Sequence, residues 1–394
     1  MKKFIAAGLA LCMAFMLAAC GASPSSTASQ AGSGTSAAAD GSAVTIKLGG
    51  IGPITGSTAV YGEAVMNGAQ IAVDEINASD SAVKFEYNFQ DDEGDAETAV
   101  NAYNILKDWG MQVLMGTVTT APCLAVISET EADNMFQITP SASSTDVIVP
   151  DNVFQVCFTD PNQGTKSAQY IGENKLAKKV AVIYNSSDVY SSGIEAKFIE
   201  EAKNQGLEVV AEEAFTADSK TDFSTQLKKA QDGGAELVFL PIYYTEASII
   251  LTQADQMGYQ PKFFGCDGLD GLLAVKNFDT KLAEGVMLLT PFAADATDDL
   301  TKKFVKEYKD KYDEVPNQFA ADAYDAIYAI KAAMEEAKVT PDMSVTDMGD
   351  ALKSAMTKVT IDGLTGDEMS WSESGEVNKD PKAVVIENGE YVGM

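Results

Sequence analysis

Histidine and arginine are both absent from this 394-residue chain, so lysine supplies all of its basic side chains. Without His, the usual general base of a Ser or Cys triad and the commonest transition-metal ligand are missing. Without Arg there is no bidentate clamp for carboxylate or phosphate, so a bound anion must rest on Lys, hydroxyls or backbone N–H groups. Positive charge is scarce overall: 28 basic residues face 58 acidic ones, a formal net charge of −30. Such a chain does not bind nucleic acid by neutralising phosphates. Cysteine is sparse and scattered, at Cys12, Cys20, Cys123, Cys157 and Cys266. That spacing forms neither a disulfide framework nor a zinc site. We expect the last three to be buried free thiols, with a Cys123–Cys157 bridge as the alternative.

What is present is ordinary for a globular protein. A hydrophobic fraction of 46% with 22% charged residues excludes collagenous, low-complexity and polytopic membrane classes. The length allows two or three lobes, each with its own core. One long apolar run occurs, from Phe4 to Ala19, preceded by Lys2-Lys3 and followed by Cys20. It is too short and wrongly flanked for a spanning helix, and reads as a signal peptide over residues 1–19. The ending Leu17-Ala18-Ala19-Cys20-Gly21 resembles a bacterial lipobox, which implies lipidation of Cys20. Ser23 to Ser42 is Ser, Ala, Gly and Thr with almost no large apolar residue, so residues 20–43 are expected to be a flexible tether.

From Val44 onward, short β-like runs alternate with amphipathic helical stretches. Val44–Leu48, Val83–Gln90 and Gln112–Met115 read as strands, with helices over 60–78, 96–109 and 124–134 between and after them. A second series begins near Lys179, with strands at 180–184, 208–211, 237–240 and 262–264 and helices at 194–205, 223–230 and 246–257. Repeated βα units predict parallel sheets covered by helices, and two series predict two doubly wound lobes. After Pro291 the pattern is mostly helical (300–312, 320–337, 345–356), ending in β-like 383–386. That part is expected to complete the two lobes rather than form a third.

Ligands of doubly wound sheets sit beyond the C-terminal strand ends, on the βα loops. Those loops are rich in hydroxyls and glycine: Gly52-Pro53-Ile54-Thr55-Gly56, Gly116-Thr117-Val118-Thr119-Thr120 and Thr139-Pro140-Ser141-Ala142-Ser143-Ser144. Hydroxyls beside helix N-termini make an anion seat without a cation, the best one available to a chain lacking Arg. Three sharper motifs fail. Gly50-x-Gly52 is not completed as a dinucleotide fingerprint, and Pro53 intrudes. The acidic run Asp91 to Glu97 has its Gly misplaced for a calcium loop. Ser81-x-x-Lys84 falls at a strand start and lacks the context of a nucleophile. No catalytic residue, metal site or cofactor is therefore expected.

At this point the chain resembles the leucine/isoleucine/valine-binding family of ABC-transporter solute-binding proteins. The resemblance is carried by Ile51-Gly-Pro-Ile-Thr-Gly56, Tyr61-Gly62, Asn67-Gly68-Ala69, Asp74-Glu75-Ile76-Asn77 and Asp91-Asp92. It continues through Ile138-Thr-Pro-Ser-Ala-Ser143, Asp222-Phe223-Ser224, Gly265-Cys-Asp-Gly268 and Ala323-Tyr-Asp-Ala326. These run in family order over essentially the whole body. The resemblance implies the type I periplasmic fold: two lobes joined by a three-strand hinge, closing over one amino acid. It implies lobe 1 from 44–160 plus 291–365 and lobe 2 from 161–290 plus 366–394.

Carried over by position, Thr120 holds the ligand carboxylate, Ser141 and Ser143 complete the α-amino-acid site with Thr119 and Ala142 beside them, and Asp267 receives the ammonium. Tyr61, Tyr190, Tyr243 or Tyr244, and Phe319 wall the side chain. Tyr190 is followed by Ser191 rather than the common Gly, and Asp267 is one methylene shorter than the Glu of some members. The implied function is capture of an amino acid, branched-chain or otherwise apolar, for an ABC permease. The implied state is a monomer, lipid-anchored on the outer face of the membrane. A ligand-sensing receptor domain of the same fold, or a binder of urea, amides or short carboxylates, is the alternative.

Overall fold

In the computed structural model the described residues are 43–394. Lys2-Lys3, the apolar run, Cys12, Cys20 and the Ser23–Ser42 tether lie outside them. The first half comprises β1 (Val44–Gly52), α1 (Ala59–Ala78), β2 (Val83–Asp91), α2 (Ala96–Trp109), β3 (Val113–Gly116), α3 (Thr120–Asp133), β4 (Gln137–Thr139) and β5 (Val153–Gln155). The second series comprises α4 (Asp160–Glu173), β6 (Lys179–Asn185), α5 (Val189–Asn204), β7 (Glu208–Phe215), α6 (Ser224–Gly233), β8 (Leu237–Leu240), α7 (Tyr244–Gln256), β9 (Lys262–Gly265) and β10 (Met287–Thr290). Then follow α8 (Asp299–Tyr312), α9 (Gln318–Ala337), α10 (Val345–Met356), the small hairpin β11 (Thr360–Ile361) and β12 (Met369–Ser370), and the pair β13 (Lys382–Glu387) and β14 (Glu390–Gly393).

Local chemistry explains these boundaries. Asp95 caps α2 by accepting from the N–H groups of Glu97 and Thr98, and Gly110, at φ 90°, closes the helix in the left-handed region. Between those ends Ala99, Ala102, Tyr103 and Leu106 are buried at helical spacing. Strands β3 and β8 are buried along their entire lengths, as expected of parallel strands covered on both faces.

The first sheet has the order β2-β1-β3-β4-β5, parallel throughout. The second repeats that winding as β7-β6-β8-β9-β10, then adds β13 antiparallel to β10 and β14 antiparallel to β13. The βα strands of the second sheet are parallel, as the periodicity predicts, and β13 and β14 add an antiparallel edge. A strand entering from a hairpin can run backwards along an edge, and no βα spacing announces it.

The chain crosses between the sheets three times: after β5, after β10 and before β13. Helix α9 returns to the first sheet and packs along α1, where a Cβ on Gly68 would lie 2.0 Å from the Ala320 carbonyl oxygen. Glycine is required there for the two helices to approach. The β11–β12 hairpin region is tied to the same layer. Asp325 of α9 accepts from the N–H groups of Leu364 (2.8 Å) and Thr365 (2.9 Å), and the Trp371 indole N–H donates to the Gln155 carbonyl at 2.7 Å. Cys123, Cys157 and Cys266 are buried and unbridged. Among the described residues no helix is long and apolar enough to cross a membrane.

Candidate functional site

Both sheets reverse their winding at the second strand of the order, β1 beside β3 and β6 beside β8, where diverging βα loops open a crevice. The two crevices face one another across a tightly closed cavity lined by Tyr61, Val118, Thr119, Thr120, Ser141, Tyr190, Tyr243, Asp267, Gly268 and Phe319. The first sheet's layer contributes the start of α1, the loops after β3 and β4, and Phe319 of α9. The second contributes Tyr190 of α5, Tyr243 before α7, and the turn after β9.

The hydroxyl loops form one end. The Thr139 hydroxyl donates to the Thr117 carbonyl (2.6 Å) and accepts from the Ala142 N–H (2.9 Å). The Ser141 hydroxyl donates to the Val118 carbonyl at 2.7 Å. These bonds stitch the loops after β3 and β4 together and consume the Thr139 and Ser141 hydroxyls. The Thr120 hydroxyl, on a residue that is 1% exposed, has no partner, whereas the Ser143 hydroxyl lies beside the buried Asp160 carboxyl. Thr120 is also the first residue of α3, whose N-terminal N–H groups add a favourable field for an anion. An unsatisfied buried hydroxyl costs roughly 1–3 kcal/mol, a cost that an incoming carboxylate would remove.

Asp267 reaches the cavity from the turn after β9. It is 4% exposed, and burial pushes its carboxyl up to about 7. The Tyr190 hydroxyl, donating to Asp267 Oδ1 at 2.6 Å, opposes that rise, and the nearby Asp322 reinforces it. The Tyr190 oxygen in turn accepts from the Gly268 N–H at 3.0 Å. Buried acids gather around Asp267: burial also raises Asp270 to about 7 and Asp322 to about 6, and holds Asp160 well above the carboxylate range. The buried lysine beside them, Lys379, is already paired with Asp322.

Aromatic rings close the sides. Tyr61 stacks on Phe319 with ring centroids 4.1 Å apart, and Tyr190 stacks on Tyr243 at 4.9 Å. The choice between Tyr243 and Tyr244 is resolved by position. Tyr243 precedes α7 and lines the cavity, whereas Tyr244 packs edge-on against the back of Tyr61.

Of the residues the sequence nominates, Tyr61, Thr119, Thr120, Ser141, Tyr190, Tyr243, Asp267 and Phe319 converge on the cavity. Ala142, Ser143 and Tyr244 do not line it. Ala142 is a core residue whose carbonyl accepts from Gln155 Nε2, and Ser143 is fully buried with its carbonyl taken by the Asp160 N–H. Sequence reasoning missed Val118 and Gly268, and also Gln163 and Gln318, which hold the Asp267 backbone. Only Gly268, beside Asp267 in a turn pair, carried a local signal. A wider concavity of about 740 Å³ lies open to solvent on α8, but its lysines are already engaged: Lys303 with Glu75, Lys306 with Asp310, Lys311 with Asp74. Among the described residues no group of three or more Cys, Asp or Glu is arranged to hold a metal ion.

The profile of the family described as periplasmic binding protein matches residues 45–390. A protein of Brucella melitensis named Leu/Ile/Val-binding protein homolog 3 is 29% identical over 357 residues, covering 89% of this chain and 93% of its own. Among solved structures, a leucine-binding protein of Thermotoga maritima superposes with a TM-score of 0.80 at 26% identity, covering 89% of this chain and 97% of its own. A branched-chain amino acid substrate-binding protein of Streptococcus pneumoniae, solved with isoleucine, gives 0.79 at 28% identity, covering 89% and 100%.

Proposed function

This chain belongs to the periplasmic binding protein family, and from that premise we propose that it captures an α-amino acid, branched-chain or otherwise apolar, for delivery to the membrane subunits of an ABC importer. The family comprises extracytoplasmic solute-binding proteins rather than enzymes. The observation that carries the ligand class is the presence in one cavity of an unpartnered buried hydroxyl, Thr120, and a buried carboxyl, Asp267. A zwitterion supplies the acceptor the first lacks and the cation the second lacks.

In this reading the carboxylate lies against Thr119, Thr120 and the N-terminus of α3. The ammonium meets Asp267, and the side chain lies among Tyr61, Tyr190, Tyr243 and Phe319. No lysine and no second acid lines the cavity, so a charged side chain would be buried without a partner, at a cost of several kcal/mol. Apolar walls contribute roughly 25 cal/mol per Å² of side-chain surface they cover. Ligand contacts made from both sheets at once exist only when the lobes meet, so ligand shifts the population toward closure. We divide the lobes at the three crossings, which moves the last boundary from 365/366 to residues 378–381, because Trp371 still bonds the first sheet at Gln155.

The same reading places the protein as a monomer on a lipid anchor at Cys20. Cys20→Ser should abolish lipid labelling and release the protein from membranes with ligand affinity unchanged; retention of that variant would exclude the anchor. The ligand class is tested by a thermal-shift screen of the twenty amino acids. A ligand at 100 times its dissociation constant should stabilise the protein by about 2.7 kcal/mol. Stabilisation by leucine, isoleucine or valine is expected; stabilisation by glutamate or lysine alone would overturn the wall assignment.

A further inference from the structure

Two successive carbonyls of the turn that carries Asp267 are held from the opposite lobe. Gln318 Nε2 donates to the Asp267 carbonyl at 2.8 Å, and the Tyr61 hydroxyl donates to the Gly268 carbonyl at 2.5 Å. Neither donor belongs to the second sheet: Tyr61 is on α1 and Gln318 opens α9, both packed on the first. The Gln318 backbone N–H also donates to Asp270 Oδ2 at 2.8 Å. Gln318 Oε1 accepts from the Thr290 hydroxyl at 3.1 Å, where the chain leaves β10 for its second crossing. The residue is 1% exposed, so these bonds face no competition from solvent. From its own lobe the Asp267 N–H reaches Gln163 Oε1 at a longer 3.3 Å.

Resting on the functional reading above, we propose that Gln318 is a positioning residue that makes recognition of the ligand ammonium conditional on lobe closure. The Asp267 carbonyl gains its partner only when α9 meets the turn after β9, whereas Gln163 and Tyr190 hold the turn from its own lobe. A buried ion pair is favourable only with good geometry, and about 0.5 Å of looseness is enough to spoil such a site. The carboxylate end depends on the loops after β3 and β4, which Gln318 does not touch. Its loss should therefore fall on the amine and spare the acid.

Calorimetry on the full chain with leucine and with its deaminated analogue, 4-methylpentanoate, tests this. Gln318→Met keeps the side-chain volume and removes the amide; Thr290→Val, which withdraws the support to Oε1 together with the hydroxyl's own bonds to Phe292, serves if the first variant does not fold. We expect Gln318→Met to weaken leucine about tenfold or more and 4-methylpentanoate less than about twofold, with a smaller shift of the same kind for Thr290→Val. Equal weakening of both ligands, or none for leucine, overturns the inference. Asp267→Asn separates it from the reading it rests on. If that variant loses leucine while Gln318→Met does not, only the inference falls. If Asp267→Asn or the unaltered chain shows no dependence on the amine, the functional reading falls as well.

Discussion

The hydroxyl of Tyr190 lies 2.6 Å from Asp267 Oδ1 and 3.0 Å from the Gly268 nitrogen, donating to the first and accepting from the second. One phenol thereby orients the acid and fastens the turn that bears it. Tyr190→Phe removes both bonds while leaving the ring stacked on Tyr243. A hydrogen bond to a charged group is worth about 1.5–3 kcal/mol, so leucine should bind about 10- to 100-fold more weakly. Unchanged affinity by calorimetry would mean that Asp267 needs no help from Tyr190.

Affinity should depend on pH with a definite sign. Asp267 is pushed up to about 7 and must ionise to pair with an ammonium. Above that value affinity should be flat. Below it a proton competes, and the dissociation constant of leucine should rise about tenfold per pH unit. Titrations between pH 5 and 8 decide this; a flat profile would exclude Asp267 as the ammonium acceptor.

Stability of the ligand-free protein should run the other way. Asp92, Asp267 and Asp270 are each raised by burial to about 7, well above a carboxyl in an unfolded chain. For a raised acid, the stabilising contribution is complete below the unfolded value and is lost as pH climbs through the folded one. The midpoint of thermal unfolding should therefore rise as pH falls from 8 to about 5. A midpoint that falls steadily over that window would contradict the buried positions of these acids.

Lys379 Nζ lies 3.0 Å from Asp322 Oδ1 and 2.6 Å from the Thr365 hydroxyl, joining the third crossing to α9. Lys379→Met leaves Asp322 buried without its cation and should cost about 3–5 kcal/mol in urea unfolding. Adding Asp322→Leu should restore much of that loss. A single variant as stable as the parent would show that Asp322 is already neutral.

Phe319→Ala removes the ring stacked on Tyr61 and enlarges the cavity. Preferences among leucine, isoleucine, valine and larger apolar amino acids should flatten, with glycine affected least. A uniform loss across all of them would point to a structural role for the ring instead.

Much of this molecule was decided within short stretches of chain. The limits of α2 follow from Asp95, the i, i+3, i+4 burial of its apolar residues and Gly110, and all three are local. The hydroxyl-bearing loops after β3 and β4 could be read for the same reason: parallel strands end in βα loops, and the residue types there are visible in order. Other features had no local signal. Helix α4 carries Pro161, Gly164 and Gly172 among polar residues, and gains its helical state from packing on α5, where a Cβ on Gly164 would lie 2.3 Å from the Ile194 carbonyl oxygen. The choice of Tyr243 over Tyr244 depends on where α7 begins relative to Tyr61. Gln318 and Lys379 read as ordinary polar residues until the crossings bring them against Asp267 and Asp322. Propensity, periodicity and turn chemistry act over a few residues. Which buried polar groups meet is set by contacts between residues 51 to 207 positions apart, and only the folded chain brings those together.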